Sequence, residues 1–375
     1  MKLFRITTVP RSLGFSRGIK SLLAEECIEM VAVSSPGKLL VEFGRNEGVR
    51  TIAVPMERRI SIFKDLRSLW LMWRVFRKEK PDMVHSMTPK AGMISMIAAW
   101  LARVPIRIHT FTGLVFPIST GLKRRILMMT DWLTCACATH VVPEGEGVKA
   151  DLINNRITKK NLRVLGYGNI KGVDLDYFSP STETNNLKDG EFTFIFVGRL
   201  VGDKGINELI AAFKRLNEDY PTTRLVLVGA EENTIDPIKA QTKQEIDDNP
   251  AIEAVGSQND VRPFYASADA LVFPSYREGF PNVVIEAGAM GLPSIVTDIN
   301  GSREIIIEGK NGIIVPSKNV DALFHAMKHF VDNPDEVKRM AANARPLIAS
   351  RYEQSYVRKC LINFYKEVIS QKGLK

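Results

Sequence analysis

Short apolar strands alternate with helical stretches along the whole chain, and this rhythm restricts the fold more than any other feature. KLFRITTV, MVAVSS, RTIAVP, DMVHSM, IRIHTF and THVVPE read as strands, with IFKDLRSLWLMWRVFRKEK and AGMISMIAAWLARV as helices among them. The rhythm returns with FTFIFVGRL, the helix GINELIAAFKRLNEDY, then TRLVLVGA, ADALVFPS, PSIVTD and NGIIVP. Strands separated by helices pair in parallel, and a parallel sheet is covered by helices on both faces. The fold class is therefore α/β.

The chain has 375 residues, too many for one ordinary core. A 24-residue stretch rich in Gly, Ser, Asn and Asp, GNIKGVDLDYFSPSTETNNLKDGE, divides the two series of strands and reads as a linker. Two doubly wound, Rossmann-like domains follow: 1–170, a hinge at 171–190, and 191–355, with a last helix at about 356–375 expected to pack back on the first domain. Ligands of such sheets sit beyond the carboxyl ends of the strands, so a ligand in a cleft between the domains would meet loops of both.

The four cysteines, Cys27, Cys135, Cys137 and Cys360, form no disulfide framework and suit a reducing compartment. The opening MKLFRITTVP reads as a first strand, because its apolar run is too short for a signal peptide. The longest apolar run, Ala91 to Ala102, is about half the roughly 20 residues a bilayer span needs. Charge is uneven. Residues 1–183 carry 28 Lys+Arg against 16 Asp+Glu, and residues 184–375 carry 23 against 26. The basic first half implies an anionic partner: nucleic acid, a phosphorylated ligand or an anionic membrane.

Two carboxylates, Glu278 and Glu286, bracket GFPNVVI with seven residues between them. ADALVFPS is a buried strand, YREGFPN a loop, and VVIEAGAM a helix for which Asn282 suits the N-cap. Both carboxylates then lie at a strand's carboxyl end. Acceptor-only carboxylates suit vicinal hydroxyls, as in a sugar or a ribose. Spacing alone equally allows a solvent-facing Glu278 and a Glu286 paired to a basic side chain. Upstream, FVGRLVGDKG places Arg199 at a strand end and Lys204 before a helix, where two cations and the helix dipole suit a diphosphate.

These motifs resemble the retaining family 4 glycosyltransferases of GT-B fold, specifically those that assemble bacterial surface polysaccharides such as capsule and lipopolysaccharide. Glu278 and Glu286 match the family's E-x7-E motif, and FVGRLVGDKG its strand–Arg–Lys segment. GNIKGVDLDYFSP, GSREIIIEGKNGIIVP, PDMVHSMTPKAG and RIHTFTGL are similar to its hinge, its donor-closing segment and its first-domain motifs. The resemblance implies that Arg199 and Lys204, with Gly198 beside them, neutralise the donor diphosphate. It implies that Glu286 holds the ribose hydroxyls and Glu278 the donor sugar. The backbone of Gly279, Phe280, Pro281, Asn282 and Val283 would contact sugar and phosphate, and Gly14 would let backbone approach the diphosphate. Many relatives carry a His where Thr112 stands, just before Gly113; His109 and His85 are the candidates to replace it.

The resemblance also implies a front-face reaction, with the acceptor hydroxyl attacking from the leaving group's side. The paired cations make a divalent ion unnecessary, so no cofactor or metal is expected, and the DLD at Asp174–Asp176 reads as structural. The donor is a nucleotide diphosphate sugar, UDP-linked by the resemblance, carrying an N-acetylated hexose or a 6-deoxyhexose. The expected acceptor is a hydroxyl of a polyprenyl-diphosphate-linked saccharide.

Ile60 to Lys80 spaces Ile62, Phe63, Leu66, Leu69, Trp70, Trp73 and Phe76 at helical intervals among Lys64, Arg67, Arg74, Arg77, Lys78 and Lys80. Lys123, Arg124 and Arg125 form a second basic patch beside apolar residues. Both suit reversible attachment to an anionic surface. A cytoplasmic protein, peripheral on the inner face of the cytoplasmic membrane, is the expectation. A nucleotide-sugar 2-epimerase on the same fold is the alternative enzyme. A nucleic-acid-binding protein is the non-enzymatic alternative, but no motif for one is present and nucleic acid is not an expected partner.

Overall fold

The computed structural model of the chain describes residues 1–57, 61–180, 191–232 and 236–373. Ile60, the start of the expected basic helix, and 181–190, half of the expected hinge, lie outside the described residues. The chain divides into two compact units, Met1–Lys171 with Ser355–Lys375, and Gly172–Gln354.

The first unit holds a six-stranded sheet of β1 (Lys2–Ile6), β2 (Glu29–Ser34), β3 (Arg50–Ala53), β4 (Met83–Ser86), β5 (Ile106–Phe111) and β6 (His140–Pro143), in the order β3-β2-β1-β4-β5-β6. Every pairing is parallel. Alternation along the strands gives each face its own core. Phe4, Ile6, Val31, Val33 and Val84 pack with Met72 and Phe76 of helix Ile62–Glu79, and with helices Pro89–Leu101 and Gly121–Cys137. Leu3, Met30, Ala32, Met83 and Ile106 face the other way. They pack with Leu40 and Phe43 of helix Lys38–Glu47 and with Leu361, Phe364 and Tyr365 of the last helix, Gln354–Gln371.

The second unit repeats the plan with β7 (Phe192–Val197), β8 (Thr223–Val228), β9 (Ile252–Gly256), β10 (Ala270–Phe273), β11 (Ser294–Thr297) and β12 (Gly312–Val315). Their order is β12-β11-β10-β7-β8-β9, again all parallel. Strand order reverses between β1 and β4 in the first sheet and between β7 and β10 in the second. Loops leaving the two central strands part there in opposite directions, which opens a crevice at their carboxyl ends.

The described part of the linker is fastened to the second unit. Asp174 Oδ1 accepts the amides of Asp176 and Tyr177 in a tight turn. The Arg345 guanidinium donates to the carbonyls of Leu175 (2.8 Å) and Phe178 (2.6 Å), and also to that of Ala289. Among the described residues no helix is long and apolar enough to cross a membrane.

Candidate active site

The crevice of the second sheet is built by the loops after β7 and β10. After β7 the chain runs through Gly198 and Arg199 into a single 3-10 turn, Gly202–Lys204, and then the helix Ile206–Asp219. Gly205 joins turn to helix at φ +72°, and a Cβ there would stand 2.1 Å from the Pro274 carbonyl oxygen at the end of β10. Only glycine lets the two loops approach so closely. The loop after β10 then carries Glu278, and Gly301 closes on it from β11's side. A Cβ on Gly301 would fall 2.6 Å from the Gly279 oxygen and 2.7 Å from Pro281 Cδ.

These approaches bring charges together. The Lys204 ammonium forms an ion pair with Glu278 Oε1, which also accepts from Ser275 Oγ at 3.0 Å. Both side chains are more than four-fifths buried, with relative exposures of 17% and 19%. Arg199 lies more in the open and pairs with Glu232. Arg277 Nη2 donates to Asp203 Oδ2 at 3.0 Å. The Tyr276 hydroxyl donates to Glu208 at 2.5 Å; burial, and after it this bond, raises its pKa. Thr297 Oγ1 donates to the Ser275 carbonyl and ties the end of β11 to the loop.

Glu286 stands on the helix Asn282–Ala289, half-buried and close enough to Tyr265 for its charge to help burial raise the tyrosine's pKa. One detail differs from expectation. Asn282 is the first helical residue and Pro281 the N-cap, without a side-chain capping bond. Proline's fixed φ, −75° here, lets it occupy the extended cap position itself. Glu286 therefore sits one residue further from the helix start than an Asn282 cap would put it. The Phe280 ring is buried edge-on against Tyr352, with centroids 5.5 Å apart, so that residue offers the crevice only backbone.

The candidates of the first unit lie at the ends of β1, β4 and β5. Gly14 falls in a 3-10 turn, Pro10–Ser16, with open space where a Cβ would be. Thr112 Oγ1 donates to the Met87 carbonyl at 3.0 Å, and Gly113 adopts φ +123°. His85 and His109 face opposite sides of the sheet, and both are fully buried. His85 meets Arg5 Nη1 (3.0 Å), the Tyr365 hydroxyl (2.6 Å) and Thr110 Oγ1 (2.7 Å). Burial first, then the Arg5 charge, pushes its pKa well below the ordinary histidine value. His109 meets Ser86 Oγ at 2.8 Å and fills the space that Gly92 leaves free; burial pushes its pKa down to about 3. Both rings are thus spoken for inside the first unit.

Sequence reasoning missed Asp203, Arg277, Ser275 and Glu232. The available signal was adjacency: Asp203 precedes Lys204, and Arg277 precedes Glu278.

Two family models match, Glycosyl transferases group 1 over residues 180–346 and the Glycosyl transferase 4-like domain over 16–168. A capsular polysaccharide biosynthesis glycosyltransferase, CapM of Staphylococcus aureus, is 31% identical over 99% of this chain and 98% of its own length. The chain belongs to the family 4 glycosyltransferases. Another relative in the family is an Escherichia coli UDP-Gal:alpha-D-GlcNAc-diphosphoundecaprenol alpha-1,3-galactosyltransferase. It is 28% identical over 82% of this chain and 81% of its own length. Among solved structures, HepE of Anabaena in complex with UDP aligns at a TM-score of 0.80 with 16% identity, covering 98% of this chain and 100% of HepE. Sucrose-phosphate synthase of Thermosynechococcus elongatus aligns at 0.80 with 19% identity, covering 99% and 100%. At these identities the likeness speaks for the fold, and that fold is GT-B.

Proposed function

We propose that this glycosyltransferase moves a sugar, with retention, from a UDP-linked donor to a hydroxyl of a polyprenyl-diphosphate-linked saccharide during surface polysaccharide assembly. The observation that carries the reading is the meeting of Lys204 and Glu278 where the strand order of the second sheet reverses. A cation for phosphate and an acceptor for sugar hydroxyls stand within one ion pair. Glu286, in the second turn of the helix Asn282–Ala289, is assigned to the ribose. As the glycosidic bond breaks, negative charge grows on the diphosphate, and Arg199 and Lys204 stabilise it without a divalent ion. The acceptor hydroxyl attacks from the leaving group's side and yields its proton to the departing phosphate.

The relatives support the substrate class. Besides the two enzymes above, an N,N'-diacetylbacillosaminyl-diphospho-undecaprenol alpha-1,3-N-acetylgalactosaminyltransferase of Campylobacter jejuni is 24% identical over 87% of this chain. The acceptor is assigned to the first unit, which carries the positive excess. Ile62, Phe63, Leu66 and Trp70 stay exposed on helix Ile62–Glu79, as do Leu122, Met129 and Trp132 on helix Gly121–Cys137. Apolar side chains rimmed by cations suit an anionic lipid surface, where such an acceptor resides.

A thermal-shift screen over nucleotide sugars tests the donor. A ligand at 100 times its dissociation constant stabilises by about 2.7 kcal/mol. UDP-sugars are expected to shift the parent and to leave a folded Glu286→Ala variant unshifted. A shift with other nucleotides only, or an unchanged one in Glu286→Ala, overturns the assignment. Incubation with membrane lipid extract then separates transfer, which gives free nucleotide and glycolipid, from epimerisation, which needs no acceptor and gives the 2-epimeric nucleotide sugar or, where water cleaves it, nucleotide and free sugar.

A further inference from the structure

We propose that Asp203 and Arg277 form a positioning clamp that keeps the two donor loops in register when Lys204 and Glu278 let go of each other. The inference rests on the donor-site reading above. Two neighbouring ion pairs cross between the same two loops: Asp203 with Arg277, and Lys204 with Glu278. On that reading the second pair loosens during turnover, as a diphosphate draws the ammonium and the sugar hydroxyls draw the carboxylate. The loops then need another tie.

The backbone of Asp203 is itself anchored at both its amide and its carbonyl. Its amide donates to Asp236 Oδ2 at 2.5 Å, and its carbonyl accepts from the Tyr276 amide at 2.9 Å. The ion pair, however, is one hydrogen bond short. Among the described residues, Arg277 Nε and Asp203 Oδ1 are both buried and have no partner, while Nη2 and Oδ2 make one bond of 3.0 Å. A guanidinium meeting a carboxylate side-on uses Nε and Nη2 together, and a buried donor and acceptor left unmade are unfavourable. Completing the second bond draws the loops together at the moment the Lys204–Glu278 bond is given up. The clamp touches no reacting atom and acts through the placement of Lys204 and Glu278.

Steady-state kinetics of Asp203→Asn, Arg277→Gln and the double variant, with UDP-sugar donor and lipid-linked acceptor, test this. Each single change is expected to lower kcat about tenfold or more while the acceptor KM moves less than twofold. Misplaced groups are felt most in the transition state. The double variant is expected to lose no more than the worse single, because the pair acts as a unit. It also leaves neither charge alone, so it serves where a single variant does not fold. Parental kcat in the double variant, or losses that multiply, overturns the clamp. A parent that binds UDP-sugar while the variants keep full turnover sinks the clamp alone. A parent that binds no nucleotide sugar removes the donor site and the clamp with it.

Discussion

Lys204 illustrates how one side chain can hold a site together and serve its chemistry. Its ion pair with Glu278 is largely buried, so removing the cation leaves a carboxylate with Ser275 Oγ as its remaining side-chain partner. Lys204→Ala is expected to lower turnover roughly a hundredfold, as loss of a positioned charge stabiliser does. Activity within threefold of the parent would place the diphosphate elsewhere. The places of Arg199 and Lys204 in the fold were legible because their spacing marks a strand end and a helix start. Arg277 was not, since its partner Asp203 lies 74 residues away and only the loops' register brings them together. Asp131, on helix Gly121–Cys137, makes a separate case. Burial pushes its carboxyl up to about 7 from an ordinary 3.8. A raised folded-state pKa contributes stability that is fully present below 3.8 and lost as pH rises through about 7. Asp131→Asn is therefore expected to stabilise the protein by about 1–3 kcal/mol at pH 8 and by almost nothing at pH 4. Urea melts at the two pH values read this directly.

Elements were legible wherever both faces of a strand are buried. β10 and β11 read as continuous apolar runs because helices cover them on either side. β9 did not read as a strand. It is an edge strand whose Glu253 and Ala254 are exposed, with Ile252 as its one fully buried side chain, so no apolar pattern announces it. The junctions between elements carry the site, and glycine sets them. Gly205 combines a left-handed backbone with a Cβ position blocked by the Pro274 carbonyl. Backbone cannot swing aside as a flexible side chain does. Gly205→Ala is expected to destabilise the second unit by about 2 kcal/mol or more, the strain and the displaced loop acting together. Donor affinity is expected to fall with it, because Lys204 is the residue just before it. Calorimetric melting and donor titration on the same sample check both, and an unperturbed titration would show that the loop has slack.

At the scale of the molecule, the asymmetry of charge asks for a purpose, and a membrane surface is the one proposed here. The first unit presents helices Ile62–Glu79 and Gly121–Cys137 on either side of Pro89–Leu101. Their inner faces are committed to the core through Met72, Phe76 and Cys135, so the exposed Phe63, at 88% relative accessibility, and Ile62, at 72%, are a second apolar face. The basic rim divides in its roles. Arg124 Nη2 donates to Asn155 Oδ1 at 2.6 Å and is partly structural, whereas Lys123 and Arg125 stand exposed. Lys123→Ser with Arg125→Ser is therefore the cleaner test than removal of all three. Each cation near an anionic surface contributes about 1 kcal/mol and is screened beyond roughly 10 Å at 0.1 M salt. The double variant is expected to bind anionic vesicles roughly thirtyfold more weakly, and high salt should weaken the parent likewise. Neutral vesicles should hold neither protein well. Donor affinity should stay unchanged, because Lys204, Glu278 and Glu286 all belong to the other unit. Activity on a water-soluble acceptor should survive while activity on a lipid-linked one falls. Flotation of the parent with anionic vesicles at low salt decides the matter. If it stays in the soluble fraction, the positive excess of the first unit serves something other than lipid, and the lipid-linked acceptor loses its support from this surface.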